Sequence, residues 1–229
     1  MLKQLLFNFF VLTSLAGCNS ERIIPETSRS DPSEQISGAN LMTERNDAWQ
    51  KEWDARLAAL EHKFGDSEDK IATSPVPIYL GGGADVLLFK KHLDGVVYVT
   101  AGLIGDGRQK KTELGEYELM MCFREENDWA PSLLSRLAPY TFESALHPSD
   151  TMEIGPALPE NSNIAALLFV PYAKINLNDK DAGVLLCMGI TIEELEECKR
   201  NGSSAVLAML KTAGIFPYTD IMRGCVLGK

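Results

Sequence analysis

The apolar residues between positions 43 and 65 recur with the period of an amphipathic helix. Their spacing places them along one face of that helix: Trp49, Trp53, Leu57, Leu60 and Phe64. We predict a helix that begins at Thr43 and is stopped by Gly65, because glycine commonly follows the last helical turn. Both tryptophans are predicted to be anchors of the core.

Short runs of β-prone residues follow this helix. We predict strands over residues 76–80, 84–90, 96–103, 116–124, 164–170 and 182–190. The last two runs are long and apolar, which is typical of strands in the centre of a sheet. Gly81-Gly82-Gly83 separates the first two runs and is interpreted as a turn, since no Lys-Ser/Thr pair follows it as in a phosphate-binding loop.

Helix-capping residues mark the start of further helices. Asp128 precedes Trp129-Ala130-Pro131 and is predicted to cap a helix that Pro139 shortens. Residues 191–194 have the sequence of a capping box and predict a second helix, and residues 203–212 predict a third. Helices and strands do not alternate regularly, which predicts an α+β fold in a single compact domain.

The chain opens with an apolar stretch that ends at a cysteine. Residues 5–15 have the length of the apolar core of a signal peptide and are too short to span a bilayer. Leu15-Ala16-Gly17-Cys18 resembles the bacterial lipoprotein box. We therefore predict a lipoprotein signal peptide over residues 1–17 and a lipidated Cys18 that anchors the protein in the membrane. The alternative is an ordinary cleaved signal with a chance cysteine.

The segment that follows Cys18 differs in composition from the rest of the chain. Residues 18–42 are rich in serine and poor in apolar residues, so we predict a flexible tether, with the folded domain over residues 43–229. Asn19 stands where many lipoproteins retained at the inner membrane have aspartate. This favours a location at the outer membrane of a bacterial envelope.

The charge balance argues against one class of partner. The 229 residues carry a formal net charge of -10, and the sequence pI is near 4.9. The 22 Lys and Arg residues are scattered, so a nucleic-acid-binding face is not expected. An acidic surface favours basic partners but does not by itself indicate a function.

Histidines and cysteines form no recognisable metal site. The three histidines lie in different segments without the spacing of metal ligands, and we expect no metal or cofactor. The cysteines beyond Cys18 leave three disulfide pairings open: Cys122, Cys187, Cys198 and Cys225. Cys122 and Cys187 lie within apolar strands and are predicted to be buried, unreactive thiols.

Two short motifs resemble parts of the serine β-lactamase site. Ser67-Glu68-Asp69-Lys70 lies in an acidic loop, and Lys211-Thr212-Ala213-Gly214 closes a helix, so neither has the context that this chemistry needs. Acidic pairs such as Glu193-Glu194 are more typical of solvated helix faces. We expect no catalytic residues.

Six segments, from about Asp47 to Val226, resemble the suppressor of fused domain family in their order and spacing. They are AWQKEWDARLAALEHKFG, VVYVTAGL, YELMMCF followed by WAPSLLSRLAPYTFES, IAALLFVP, GVLLCMGITIEELEECK and TDIMRG. The resemblance implies a compact α+β domain with a mixed sheet flanked by helices. It also implies protein binding without catalysis. Animal members hold transcription factors inactive by gripping an extended peptide, and bacterial members look like immunity proteins that neutralise toxins.

Several positions depart from the family pattern. Gly102-Leu103-Ile104 stands where the family usually has Gly-Leu-Ser. The loop before the strand of Glu118 helps to frame the peptide site in animal relatives, and here it is short and basic (Arg108, Lys110 and Lys111). Asp220 and Arg223 match an Asp-x-x-Arg element of the family, for which we expect a structural ion pair.

These observations together predict a lipid-anchored envelope protein that binds another protein, namely a secreted toxin. A protein tethered outside the inner membrane cannot protect cytoplasmic targets, so the toxin is expected to act in the envelope. The alternatives are an envelope hydrolase with an unrecognised site and a structural or assembly lipoprotein. The sequence identifies no interface residues.

Overall fold

The computed structural model describes residues 32–68, 72–178 and 180–228, with side chains from residue 47 onward except that of residue 48. The chain divides into two units, Met1–Glu44 and Arg45–Lys229. The described part of the first unit is the beginning of helix α1 (Pro32–Phe64). The rest of α1 and all other described elements belong to the second unit.

A six-stranded mixed sheet organises the second unit. Its strands lie in the order β1 (Asp85–Phe89), β2 (Val96–Ala101), β3 (Tyr117–Phe123), β6 (Lys180–Thr191), β5 (Ile164–Leu177) and β4 (Thr151–Glu153). Strands β3 and β6 are parallel, and all other neighbouring pairs are antiparallel. The chain between β3 and β6 contains helices α2 (Trp129–Leu137) and α3 (Tyr140–Glu143), as a parallel junction requires a long connection.

Helices cover both faces of the sheet. Helices α1, α4 (Ile192–Asn201) and α5 (Ser203–Thr212) pack on one face and form the first core, which includes Leu60, Met120 and Leu186. Helices α2 and α3 pack on the other face and form the second core, which includes Leu119, Leu134 and Leu185. Successive strand residues alternate between the two cores because their side chains point to opposite faces. The predicted α+β fold with a mixed sheet flanked by helices is confirmed.

Helix α1 begins earlier in the chain than the sequence predicted, and its apolar face first contacts the core at a later residue than predicted. It starts at Pro32 instead of Thr43, so residues 32–42, which were assigned to the tether, are helical. Proline fits the first turn of a helix, where its missing N–H costs no hydrogen bond. The expected core role is wrong for Trp49, which is 55% exposed and stacks on Trp53 with 5.9 Å between ring centroids. The apolar stripe packs against the first core only from Trp53 onward.

The strand predicted over residues 76–80 is absent. Ile78–Leu80 form a short 3₁₀ turn, and the chain leaves it through Gly81 with a φ of 87°. Pro75 and Pro77 flank Val76, and because proline has no N–H to donate, this run cannot form a regular ladder. The predicted glycine turn is confirmed at Gly81, whereas Gly83 pairs with Pro77 in an isolated β-bridge.

The hairpin of β5 and β6 is longer than predicted. Strand β5 continues past Val170 to Leu177, and β6 begins at Lys180. The turn between them passes through Asn178, whose φ of 51° is one that asparagine tolerates. The sequence also did not predict β4, which has only three residues.

Local signals located two of the helix starts. The capping box of α4 is formed as predicted, because the Thr191 side chain accepts from the N–H of Glu194 and the Glu194 side chain accepts from the N–H of Thr191. The cap of α2 differs by one residue, since Asn127 Oδ1 accepts from the N–H of Ala130 at 2.9 Å and Asp128 makes no such bond. Pro139 separates α2 from α3, as expected of a helix breaker.

The N-terminal predictions concern a part of the chain for which little is described. The predicted signal peptide of residues 1–17 and the lipidation site Cys18 lie outside the described residues, as does the first half of the predicted tether. Within the described ranges, none of the helices is both long enough and apolar enough to cross a membrane.

Candidate protein-binding surface

A single buried carboxylate organises the chain where it leaves β2. Glu118 of β3 is fully buried, and its Oε2 accepts a hydrogen bond from Thr100 Oγ1 at 2.6 Å. Its Oε1 accepts from three successive backbone N–H groups, those of residues 102–104, at 3.1, 3.0 and 3.0 Å. A buried N–H without an acceptor costs free energy, so Glu118 holds this turn in one conformation.

Helix α1 reaches the same turn through an arginine. Arg56 donates from Nε and Nη2 to the carbonyl oxygen of Ile104 at 3.2 and 2.7 Å, and its Nε lies 3.9 Å from Glu118 Oε1. Burial raises the pKa of Glu118, while Arg56 and the hydroxyl of Thr100 act in the opposite direction. The positive charge of Arg56 therefore offsets part of the cost of placing a carboxylate inside the fold.

Hydrogen bonds from both side chains and backbone hold the following loop, residues 105–116, in place. The Gln109 side chain donates to the carbonyl oxygen of Tyr117 at 2.7 Å and accepts from its N–H at 2.9 Å. The N–H of Lys110 donates to the carbonyl oxygen of Thr141 at 2.9 Å, and the N–H of Gly105 donates to Glu116 Oε2 at 2.8 Å. The loop is therefore a fixed part of the surface.

Ion pairs reduce the basic character that the sequence predicted for this loop. Arg108 pairs with Asp106, with its Nε 2.6 Å from Oδ1 and its Nη2 2.8 Å from Oδ2. Lys111 Nζ lies 3.5 Å from Glu116 Oε1. Lys110 is exposed and forms no ion pair with the described residues. The surface here is close to neutral, with one free positive charge.

An exposed apolar segment lies beside this loop. We call residues 76–80 the apolar turn; its Val76, Tyr79 and Leu80 are 49%, 66% and 67% exposed. Ile78 instead packs against the second core, and its carbonyl oxygen accepts from Arg108 Nη2 at 3.2 Å. The guanidinium of Arg108 also lies over the Phe142 ring, 4.3 Å from its centroid. Neighbouring apolar side chains that are exposed to solvent on a conformationally restricted segment are typical of protein contact sites.

A second buried carboxylate fixes the C-terminal segment. Glu194 forms a two-point ion pair with Arg223, at 2.6 Å from Nη1 to Oε1 and 2.5 Å from Nη2 to Oε2. The ion pair expected between Asp220 and Arg223 is therefore wrong. Asp220 Oδ1 accepts from the N–H of Met222 within its own turn, which leaves the arginine free to reach α4. Glu118 and Glu194 lie in separate networks, each with its oxygens engaged.

All four cysteines beyond Cys18 are free thiols. Cys122 and Cys187 are buried, as predicted, but in different cores on opposite faces of the sheet, so they cannot meet. Burial raises the pKa of Cys187 to about 12 and also raises that of Cys122. These two thiols are therefore protonated and unreactive in the folded chain.

The remaining candidates for chemistry do not come together. His92 contacts the Tyr172 hydroxyl at 2.9 Å, and His147 contacts Glu113 at 3.0 Å, so these histidines have different partners. Within the described part of the chain, no group of three or more His, Cys, Asp or Glu residues could hold a metal ion. Lys211 closes α5, with its ammonium group over the Phe216 ring.

The sequence missed the apolar turn because its residues have high β propensity, which suggested a buried strand. The two prolines were the signal against that interpretation. It also missed the link between Arg56 and Glu118, although a single acidic residue inside the apolar run YELMMCF indicates a buried carboxylate that needs donors.

Comparisons with known proteins agree with this architecture. A crystal structure of a SUFU homologue from Neisseria gonorrhoeae matches with a TM-score of 0.59 and 16% identity, over 79% of this chain and 99% of that chain. The Sufu–Fu complex matches with a TM-score of 0.61 and 17% identity, over 76% of this chain and 92% of that chain. Drosophila Suppressor of Fused matches with a TM-score of 0.58 and 16% identity, over 74% of this chain and 50% of that chain. The chain thus spans about half the length of the Drosophila protein.

Sequence comparison identifies the family directly. None of the curated proteins matches the chain. The family described as suppressor of fused protein (SUFU) matches residues 83–224, from the turn before β1 to the residue after Arg223. Since this match takes in more than half of the 229 residues, the chain belongs to the suppressor of fused (SUFU) family.

Proposed function

We propose that this protein is a lipid-anchored module of the bacterial cell envelope that binds and neutralises a secreted toxin. The observation that carries the binding part of the proposal is the apolar turn, exposed beside the fixed loop of residues 105–116. A relative of the same fold was crystallised in the Sufu–Fu complex, which supports protein binding in general.

The apolar turn is well suited to a binding interface. Its backbone is restricted by Pro75 and Pro77 and is held by Arg108, so little conformational entropy remains to be lost when a partner binds. Tyr79 and Leu80 expose apolar area whose burial would contribute favourable free energy. Tyrosine is also among the residues most enriched in the energetically dominant parts of interfaces.

The location in the envelope rests on the predicted lipidation of Cys18. Stable anchoring requires more than one acyl chain, and the lipoprotein modification supplies them. An anchored module outside the inner membrane can meet only those toxins that act there, so the proposed partner attacks peptidoglycan, lipid or another envelope component.

Protection during co-expression tests this proposal. Sensitive cells would produce any secreted protein encoded by a neighbouring gene, with and without the full chain. We expect survival with the wild type and loss of protection with Tyr79→Ser combined with Leu80→Ser. Ile192→Ser is the matched control, because this residue is 49% exposed on α4, which packs on the other face of the sheet. It should leave protection intact.

Three outcomes would contradict parts of the proposal. Unchanged killing in cells that carry the wild-type chain would exclude immunity against that toxin. Capture of a native membrane component from unchallenged cells, abolished by the double variant, would support an assembly lipoprotein instead. Continued membrane association of Cys18→Ala on fractionation would exclude the lipid anchor.

A further inference from the structure

The hairpin of β5 and β6 extends beyond the body of the sheet. Strand β6 pairs with β3 only from Gly183 onward, so the residues of β6 before it pair with β5 alone. On the other side, β4 covers β5 only as far as Leu168. We call residues 173–178 and 180–182 the arm. The arm is a two-stranded ribbon with no further strand of the described residues beside it, and because such a ribbon is only marginally stable alone, other contacts must hold it.

A β-bulge marks the base of the arm. Pro171 and Ala173 pair with consecutive residues of β6, so Tyr172 between them is the extra residue. A bulge bends its strand and increases the local twist, and it can direct a side chain to a new position. This point is therefore suited to act as a hinge between the arm and the rest of the sheet.

The bulge determines which side chains of the arm face the first core. Before the bulge Val170 contributes to this core, and after it Ile175 and Leu177 do. Because successive side chains of a strand alternate between its faces, Lys174 and Asn176 would point inward without the extra residue. The apolar contacts of the arm therefore depend on the bulge.

A groove separates the arm from the later turns of α1. It encloses about 660 Å³ between Ala55, Ala58 and Ala59 of the helix and residues 174–178 of the arm. Closely packed elements leave no volume of this size between them. The arm therefore has room to move relative to α1.

Three aromatic rings from three elements meet at the base of the arm. Phe64 ends α1, His92 lies between β1 and β2, and Tyr172 is the bulged residue of β5. The His92 and Phe64 rings are nearly perpendicular, with 4.9 Å between their centroids, and the Tyr172 ring is stacked on Phe64 at 6.3 Å. His92 Nε2 lies 2.9 Å from the Tyr172 hydroxyl oxygen. We call these three residues the clasp, because they join the arm to two other elements.

Protonation of His92 is unfavourable while the clasp is closed. Burial lowers the pKa of His92 below its usual value of 6.5, and the positive charge of Lys63 on α1 acts in the same direction. Burial raises the pKa of Tyr172 to about 12, so its phenol supplies no negative charge that could stabilise an imidazolium.

The carboxylates of the segments around the clasp have partners of their own. These pairs are Asp66 with Lys91, Glu68 with Lys90, Asp94 with Arg124, and Glu61 with the hydroxyl of Ser67. The charge that acts on His92 is therefore the positive charge of Lys63.

We infer that the arm is a movable strap over α1, which the clasp holds closed at neutral pH and which protonation of His92 releases. In the open form the imidazole is hydrated and has its usual pKa near 6.5, whereas its pKa in the closed form is lower. The closed form therefore keeps its full stability above pH 6.5 and loses it as the pH falls through the lower value. Release would uncover Ile175 and Leu177, so the chain would expose more apolar surface in acid.

Methyl NMR of the full chain with a soluble paramagnetic reagent tests the release. The reagent broadens the signals of methyl groups that solvent reaches, so Ile175 and Leu177 report the position of the arm. Leu186, in the centre of β6, reports the body of the sheet. In a titration from about pH 8 to about pH 5, we expect the two arm signals to broaden below pH 6.5 while Leu186 stays sharp. Arm signals that do not respond to pH would overturn the inference, and equal broadening of Leu186 would show global unfolding and exclude a strap.

Two histidine variants identify the group that takes up the proton. His92→Gln keeps a side chain that can bond to the Tyr172 hydroxyl but cannot titrate, so the exposure of the arm should no longer depend on pH. His147→Gln is the matched control, because His147 is exposed and contacts Glu113. It should retain the pH dependence of the wild type. A pH dependence that survives in His92→Gln would assign the effect to another group and contradict the inference.

A tyrosine variant tests the clasp at constant pH. Tyr172→Phe removes the hydroxyl but keeps the ring that stacks on Phe64. Loss of this hydrogen bond should raise the open fraction of the arm by about two- to tenfold at neutral pH. Tyr79→Phe is the matched control, since Tyr79 is 66% exposed in the apolar turn, and it should leave the arm signals unchanged. An open fraction in Tyr172→Phe equal to that of the wild type would exclude the clasp.

Discussion

Replacing Arg223 with methionine would leave a fully buried carboxylate without its counter-ion. In the wild type, the guanidinium makes two hydrogen bonds to Glu194, and its Nη2 donates to the carbonyl oxygen of Gly189 at 3.1 Å. Arg223 is 8% exposed and Glu194 0%, so water cannot replace these bonds without opening the fold. Methionine fills a similar volume, and the variant therefore isolates the loss of the charge and its donors.

The expected loss of unfolding free energy is that of a buried ion pair from which one partner has been removed. Removal of one partner typically costs about 3–5 kcal/mol, because the remaining charge is buried and unpaired. For a chain of this size, each kcal/mol shifts the melting temperature by roughly 2–4 °C, so Arg223→Met should lower it by roughly 6–20 °C. Calorimetry and urea denaturation of the full chain measure both quantities.

Two further variants identify the mechanism. Glu194→Gln combined with Arg223→Met should be more stable than Arg223→Met alone, because a neutral glutamine needs no counter-ion and can still bond to the N–H of Thr191. Arg200→Met is the control, since Arg200 is 67% exposed and pairs with Glu197 at the surface, where such pairs contribute about 0–1 kcal/mol. If Arg223→Met lost less than about 1 kcal/mol, or the double variant were no better, the reasoning would be refuted.

Three other measurements test the interior of the fold. Glu118→Ala should lower the free energy of unfolding by roughly 3–5 kcal/mol. It should also speed amide exchange at residues 102–104, because their N–H groups lose the carboxylate that accepts from them. Unchanged exchange would contradict the proposed role of Glu118 in holding this turn. In thiol titration of the native chain, Cys225 should react before Cys187, whose pKa is raised to about 12; the reverse order would be inconsistent with the burial. Burial raises the pKa of Tyr117 from 10.0 to about 12. The stability that the folded chain gains from the protonated phenol is therefore complete below pH 10 and is lost as the pH rises through 12. Tyr117→Phe should reduce the slope of stability against pH in that interval, and an identical slope would argue against the shift.

Elements whose signals are local were predictable from the sequence. The period of the apolar residues located the part of α1 that contains Leu60 and Phe64, and the capping box at Thr191 located the start of α4. Strand β3 was recognised from an apolar run that is buried on both sides. In each case the residue pattern that identifies the element lies within one short stretch of the chain, so it can be recognised in the sequence.

The run over residues 76–80 shows where local reasoning fails. Its β propensity favoured a strand, but Pro75 and Pro77 lack the donors of a ladder, and the segment turns outward. Trp49 belongs to the apolar stripe of α1 but lies before the point where the helix meets the first core. Periodicity assigns a residue to a face, whereas its burial depends on what packs against that face.

The sequence alone determined the family resemblance, the α+β class and the absence of a recognisable catalytic motif, because these depend on residue order and local spacing. Only the tertiary structure decided that Arg223 pairs with Glu194 and not with Asp220, and that Arg56 and Glu118 meet at the turn after β2. The same is true of the outer side of β5 from Lys174 onward, which no strand of the described residues covers. These pairings join residues far apart in the chain, and their partners are chosen by the geometry of the packed sheet and helices, which local sequence patterns do not specify.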